Sequence, residues 1–144
     1  MHVVARIQNN RNSHRVTVSS SGNSRTIAIP AKQAGPGSDV NGGELLMLAV
    51  ATCYGNDLYR EAVRMGIELR ALEVIAEADF EGVGLAASNI RYRARVDSPA
   101  SHSEIDRLLR ETDAVAEIHN TIRAGRQVAF EPWNCEAAVM TNSE

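Results

Sequence analysis

The sequence predicts an α+β fold held in a single domain over residues 1–144. Three observations point to it. Short apolar runs separated by turn residues fill positions 3–29, a long capped helix signal spans 41–66, and two strictly alternating segments at 72–80 and 89–96 precede a second helical pattern. Strands grouped apart from helices, instead of alternating with them one for one, argue against a doubly wound parallel sheet.

Residues 3–8 form an apolar run, 9–14 a polar turn and 15–18 a second run, which together predict a hairpin. The cluster Ser19, Ser20, Ser21, Gly22 and Asn23 then turns the chain into a third strand over 25–29, ended by Pro30. A small antiparallel sheet is expected. Residues 34–43 carry Gly35, Pro36, Gly37, Gly42 and Gly43 and predict a loop. A glycine-rich loop before a helix invites phosphate binding, but the segment has neither G-K-[ST] nor a dinucleotide fingerprint.

Asn41 is an N-cap residue with Glu44 three positions on to complete a capping box, and Gly66 sits where a left-handed terminating residue belongs. Between them Leu45, Leu46, Met47, Leu48, Ala49, Val50 and Ala51 leave no polar face, so that half must be surrounded by protein. From Asn56 onward Asp57, Arg60, Glu61 and Arg64 alternate with Leu58, Tyr59, Ala62 and Val63, which predicts a second half lying at a surface. At 1.5 Å per residue the segment would be roughly 33 Å long, about the diameter of a small domain. Such a helix is a central core element or part of a subunit interface.

Segments 72–80 and 89–96, with Glu81, Gly82, Val83 and Gly84 between them, predict a hairpin. Ile90, Tyr92, Ala94 and Val96 share one face, Arg91, Arg93 and Arg95 the other, and Glu73, Glu77 and Asp79 are expected to pair with those arginines across the exposed face. Ser101 and Glu104 repeat the capping-box pattern, and Ile105, Leu108, Leu109, Val115, Ile118 and Ile122 before Gly125 predict one amphipathic helix of about six turns. Leu108, Leu109, Thr112, Ala116 and His119 fall on one side of it, so His119 is expected to face the core. A strand over 127–131 and a last short one over 135–140 complete the reading.

Fifteen Lys and Arg against 18 Asp and Glu give a net charge of -3, which provides no footprint for nucleic acid or an anionic membrane. The opening residues lack a leader's basic and apolar regions, and no apolar run approaches the ~18 residues of a membrane span, so a cytoplasmic protein is expected. Two cysteines, Cys53 and Cys135, are too few for a disulfide scaffold. His2, His14, His102 and His119 show no ligand-like spacing, and neither a metal nor another cofactor is predicted.

The block LLMLAVATCYGNDLYREAVRMGIELRALEVIAEADF, followed by a second helix ending AEIHNTIRAG, resembles the OsmC/Ohr family of osmotically induced and organic hydroperoxide resistance proteins. The most specific part is the Leu-Leu run with a cysteine eight residues after Leu45. The resemblance implies an intertwined homodimer, with antiparallel sheets of both subunits around two central helices, and a thiol peroxidase site of the oxidative stress response at the dimer interface. Cys53 matches the peroxide-attacking cysteine. The family's resolving cysteine stands in a Cys-Pro-x-x-x-[ST] setting, where this chain has Ala116 and Glu117. The family also uses an arginine of the N-terminal hairpin to hold the thiolate, matched by Arg11 or Arg15, and a glutamate at the start of the long helix to hold that arginine. Aligned on Leu45, Gly43 occupies the glutamate position and Glu44 follows one residue late, turned by about 100° around the helix.

A peroxidatic cysteine must ionise, be reached by peroxide and be freed from the sulfenic acid it forms. Cys53 lies about three turns inside its helix, beyond the reach of the helix dipole, so a cation must come from elsewhere. Arg11 or Arg15 is the candidate by resemblance and His119 by geometry, while Asp57, on the same face as Cys53, opposes a thiolate. Cys135 is expected to be structural. The reading is therefore reduction of a small apolar hydroperoxide by Cys53 with an external thiol as reductant. The alternatives are a non-catalytic homodimer binding a small apolar ligand at its interface, and a purely structural dimer.

Overall fold

The computed structural model of the protein describes residues 1–11 and 13–133. The chain runs β1 (Val3–Asn9), β2 (His14–Ser20), β3 (Asn23–Ile27), α1 (Gly42–Met65), β4 (Ala71–Asp79), β5 (Ser88–Asp97), α2 (His102–Val115) and α3 (Glu117–Arg123). Both sheets are antiparallel, one of order β1-β2-β3 and one made by β4 and β5, and the fold is α+β as the segment order predicts.

The N-terminal sheet is amphipathic. Opposed residues of an antiparallel ladder share a face, so the register Ile7 to Val16 to Ile27 and Ala5 to Val18 builds one mostly apolar side, interrupted by Arg25 opposite Val18. Val16 is buried there, but Val3 and Ile7 remain 56% and 60% exposed. The sheet has no extensive contact with α1, α2 or the second sheet. The third strand begins and ends two residues earlier than the alternation suggests, because Ser21 and Gly22, at φ 50° and 84°, make a tight left-handed turn directly after β2.

Asn41 caps α1 as expected: its Oδ1 accepts from the Glu44 amide at 2.9 Å, and Glu44 Oε2 accepts from the Asn41 amide at 2.7 Å. Gly66, at φ 68°, turns the chain out, and the Ile67 amide reaches back to the Ala62 carbonyl at 2.8 Å. The core forms where one face of α1 lies on the second sheet and α2. Tyr54, Leu58, Ala62, Ile67, Leu108 and Ala116 are buried together, with Leu72, Val74, Tyr92, Ala94 and Val96 of the sheet packed against them. On the sheet's other face Glu73 pairs with Arg95, and Glu77 with Arg91 and Arg93, as the alternation predicts. Asp79, past a shift in register, instead accepts from the Asn89 side-chain amide at 2.7 Å and makes no ion pair with the arginines among the described residues.

Three expectations require correction. The apolar half of α1 is not fully enclosed within one chain: Val50 is buried but Leu48 is 60% exposed. In the amphipathic half, where Tyr59 and Val63 stay exposed at the surface as expected, Asp57 and Glu61 are buried beside Leu58 and Ala62. Arg60 reaches Asp57 and Glu61 at 2.8 and 3.1 Å, and Arg64 bridges Glu61 to Glu111 of α2, so these carboxylates enter the core boundary already paired. The second helical segment is not one helix. It breaks at Ala116, which has the extended angles φ -71° and ψ 108°. The break is stable because Arg123 and Asn120 donate to the freed carbonyls of Asp113 and Ala114 at 3.3 and 3.0 Å. Residues 127–131 form no strand; Val128 and Phe130 stand 94% exposed with no strand to pair with among the described residues. The strand expected over 135–140, and Cys135 with it, lies outside the described residues.

Candidate active site

The break at Ala116 creates the site. By ending α2 and starting α3 at a new angle, it brings the first residues of α3 against the middle of α1, where Cys53 is half-buried. The thiol donates to Asp57 Oδ2 at 3.6 Å, one turn on along α1, and approaches Glu117 Oε2 at 3.9 Å. The Ile118 amide also bonds the sulfur. Ala116 itself is fully buried, a methyl group in the core, with Glu117 beside the sulfur.

Charge at this cluster is mostly negative. Burial pushes the Cys53 thiol above its ordinary 9.0, the Ile118 amide pulls it down, and the carboxylates of Asp57 and Glu117 push it up again. Burial likewise raises the Asp57 carboxyl, opposed by Arg60 and assisted by Glu117. Arg60 is the nearby cation: its guanidinium holds Asp57 Oδ1 at 2.8 Å and lies 3.9 Å from Glu117 Oε1. Asp57 thus presents one oxygen to the arginine and the other to the thiol. The ligand-type atoms of Cys53, Asp57 and Glu117 lie within 4.8 Å of one another, a set that could hold a borderline-soft cation. Arg60 already supplies positive charge to both carboxylates, and we read the group as an ion-paired acid cluster.

His119 faces the core as expected. It is 5% exposed, with its ring 4.4 Å from Tyr92 and 5.7 Å from Tyr54, centroid to centroid. Neither ring nitrogen has a hydrogen-bond partner among the described residues, and burial pushes the ring below its ordinary 6.5, with Arg123 adding to the shift and Asp113 and Asp57 opposing it. The imidazole is accordingly neutral near pH 7 and faces tyrosines. Tyr92 donates to Asp113, which Arg123 holds at 2.6 Å, and Tyr54 donates to the Leu109 carbonyl at 2.7 Å. These bonds lock the aromatic wall behind the site.

The other residues singled out from sequence are not gathered here within one chain. Arg11 lies at the turn between β1 and β2, and Arg15 on β2; both are exposed and make no ion pair among the described residues. Glu44 is exposed at the start of α1, engaged in its cap. At Gly43 an added Cβ would stand 2.9 Å from the Phe80 ring, so glycine lets that ring close over the helix start. Arg60 was missed from sequence. Its signal is available there: it stands seven residues after Cys53 and three after Asp57, on one helical stripe.

The sequence pattern of a family described as OsmC-like protein matches residues 35–131. Among solved structures, the chain is similar to an OsmC-like protein from Mycoplasma pneumoniae, with 20% identity, a TM-score of 0.57, and 83% of this chain and 87% of the other covered. It is similar also to organic hydroperoxide resistance proteins from Elizabethkingia anophelis (16% identity, TM-score 0.58, covering 85% and 89%) and Legionella pneumophila (16% identity, TM-score 0.55, covering 85% and 90%). No curated protein matches the chain by sequence.

Proposed function

The chain belongs to the OsmC-like protein family, and on that premise we propose that it is a one-cysteine reductase of small apolar organic hydroperoxides. One observation carries the reading: Cys53 is half-exposed and bonded to Asp57, Glu117 and the Ile118 amide, not enclosed in apolar core as an inert cysteine would be. Its thiolate attacks the terminal peroxide oxygen, giving sulfenic acid and an alcohol. With Ala116 at the resolving position, an external thiol condenses with the sulfenic acid, releasing water, and a second thiol equivalent frees Cys53 as the reductant becomes a disulfide. Among the described residues no other cysteine is available to do this.

The working form in this reading is a cytoplasmic homodimer. Leu48 and the apolar face of the N-terminal sheet are uncovered in one chain, and a second copy would cover them. In that docking Arg11, at the β1–β2 turn, is the better placed of the two arginines to bring a cation to the partner's Cys53, because Arg15 lies on the face of β2 opposite Val16 and Val18. Glu44 has a role in this arrangement only if the docked arginine reaches it.

The test is consumption of cumene hydroperoxide with a dithiol by purified protein and by Cys53→Ser. Rapid turnover by wild type and none above background by the variant is the expected result; equal, slow consumption by both overturns the reading. A non-catalytic alternative, a dimer binding a small apolar molecule, draws on the carboxylates that disfavour the Cys53 thiolate. It predicts that apolar ligands raise the melting temperature of wild type and Cys53→Ser alike.

A further inference from the structure

We propose that Asp57 is the proton shuttle of the peroxide-reducing step, taking the proton from the Cys53 thiol as sulfur attacks and giving it to the departing alkoxide. The inference rests on the peroxidase reading above. Its geometric basis is the division of labour between the two oxygens of Asp57. Oδ1 is held by Arg60 at 2.8 Å, and Oδ2 lies 3.6 Å from Cys53 Sγ, within reach of the S–H proton. Asp57 is 5% exposed, so its carboxylate is largely shielded from bulk water. An i,i+4 position on a rigid helix keeps it beside the sulfur throughout the reaction.

The chemistry explains why an acid should stand where a thiolate needs a cation. Reduction of a hydroperoxide makes an S–O bond and breaks an O–O bond. The sulfur loses two electrons, the terminal oxygen with its hydrogen becomes the sulfenic S–OH, and the remaining fragment leaves as an alkoxide. An alkoxide is a strongly basic leaving group, and proton transfer to it removes much of the barrier. One proton leaves Sγ and one is needed at the alkoxide oxygen, so a single carboxylate between them balances the step without solvent. The charged and titratable groups facing Asp57 are Cys53 and Arg60 on α1 and Glu117 and His119 on α3. Burial and Glu117 raise its carboxyl above the ordinary carboxylate value, with Arg60 and the Cys53 hydrogen bond opposing. Arg60 is a positioning residue that keeps Oδ2 turned to the sulfur.

Asp57→Asn separates this role from plain electrostatics because two reactions of the same thiol should move in opposite directions. Removing the carboxylate beside Cys53 favours the thiolate, so alkylation by iodoacetamide at neutral pH, which needs no proton donor, should speed up. Reduction of cumene hydroperoxide should slow on the order of 10²-fold, the usual reach of a general acid. Reduction of peracetic acid, whose leaving carboxylate needs no proton, should not slow. If peroxide reduction by the variant rises or holds together with alkylation, the shuttle is overturned. A measurement on the wild type guards against a variant that fails to fold. As pH rises through the thiol's titration, alkylation should keep rising with the thiolate while cumene hydroperoxide reduction lags behind it; superposable profiles overturn the proposal. Failure of the parent reading looks different, with wild type and Cys53→Ser consuming peroxide equally.

Discussion

The ring of His119 meets that of Tyr92 edge to face, 4.4 Å apart and inclined at 72°, in a site that leaves the imidazole 5% exposed. Charging the ring there costs desolvation, and its folded pKa lies below 6.5. Below 6.5 the unfolded chain therefore binds the proton more readily than the folded one. The stabilisation His119 contributes is present above 6.5 and is lost as pH falls through the depressed folded value. Melting temperatures from about pH 8 to about pH 5 should decline on the acid side, and His119→Leu should flatten that decline. Asp57, whose folded pKa is raised, works with the opposite sign at more acid pH, losing its contribution as pH rises through that pKa, so the variant comparison is needed to isolate the histidine. An unchanged acid slope in His119→Leu would assign the sensitivity elsewhere.

Cys53 makes a prediction at the other end of the scale. Its folded pKa lies above 9.0, so the pH dependence of iodoacetamide alkylation should have its midpoint above that of a free thiol. The linked stability is present below 9.0 and lost as pH rises through the folded pKa, and Cys53→Ser should abolish that loss. A midpoint well below 9.0 in the assembled protein would show that another copy brings a cation to the sulfur, as Arg11 or Arg15 would.

How much of this was legible beforehand depends on whether the determining forces were local. The caps at Asn41, Gly66 and Ser101 and the pairing of Glu73 with Arg95 depend on neighbours in sequence or on strict alternation, and each appears in the fold as predicted. The break at Ala116 does not. Its periodicity continues smoothly through position 116, and what replaces the helical bonds are the side chains of Asn120 and Arg123, whose reach to Ala114 and Asp113 is a three-dimensional fact. The candidate site was half readable for the same reason. Cys53 and Asp57 share a helical stripe, whereas the contact of Glu117 with the sulfur exists only because of that break.

The capping box at the start of α1 should carry measurable stability. Asn41→Ala removes the acceptor for the Glu44 amide and is expected to cost about 1 kcal/mol in urea unfolding, and Glu44→Ala should cost a similar or smaller amount. Because the two side chains act on one another's backbone, the double variant should cost less than the sum of the two. Strict additivity would mean that the reciprocal bonds are not formed together in solution.

Leu48 supplies the sharpest test of assembly. It stands 60% exposed in the middle of the one stretch of α1 that has no polar face, two residues before the buried Val50. Covering the exposed part of this leucine would recover about 1–2 kcal/mol, and Val3, Ile7 and Ile27 of the N-terminal sheet are uncovered as well. If a second copy covers these surfaces, light scattering of the wild type should give twice the chain mass. Leu48→Asp, which places a charge in the covered position, should then give a folded monomer or a dimer that dissociates on dilution, with unchanged helical circular dichroism. Retained helicity is expected because the Tyr54, Leu58, Ala62 and Leu108 core lies within one chain and does not include Leu48. A wild type that stays monomeric at tens of micromolar, or a Leu48→Asp dimer as tight as wild type, would rule out an interface on α1 and with it the proposed delivery of an N-terminal arginine to the partner's Cys53.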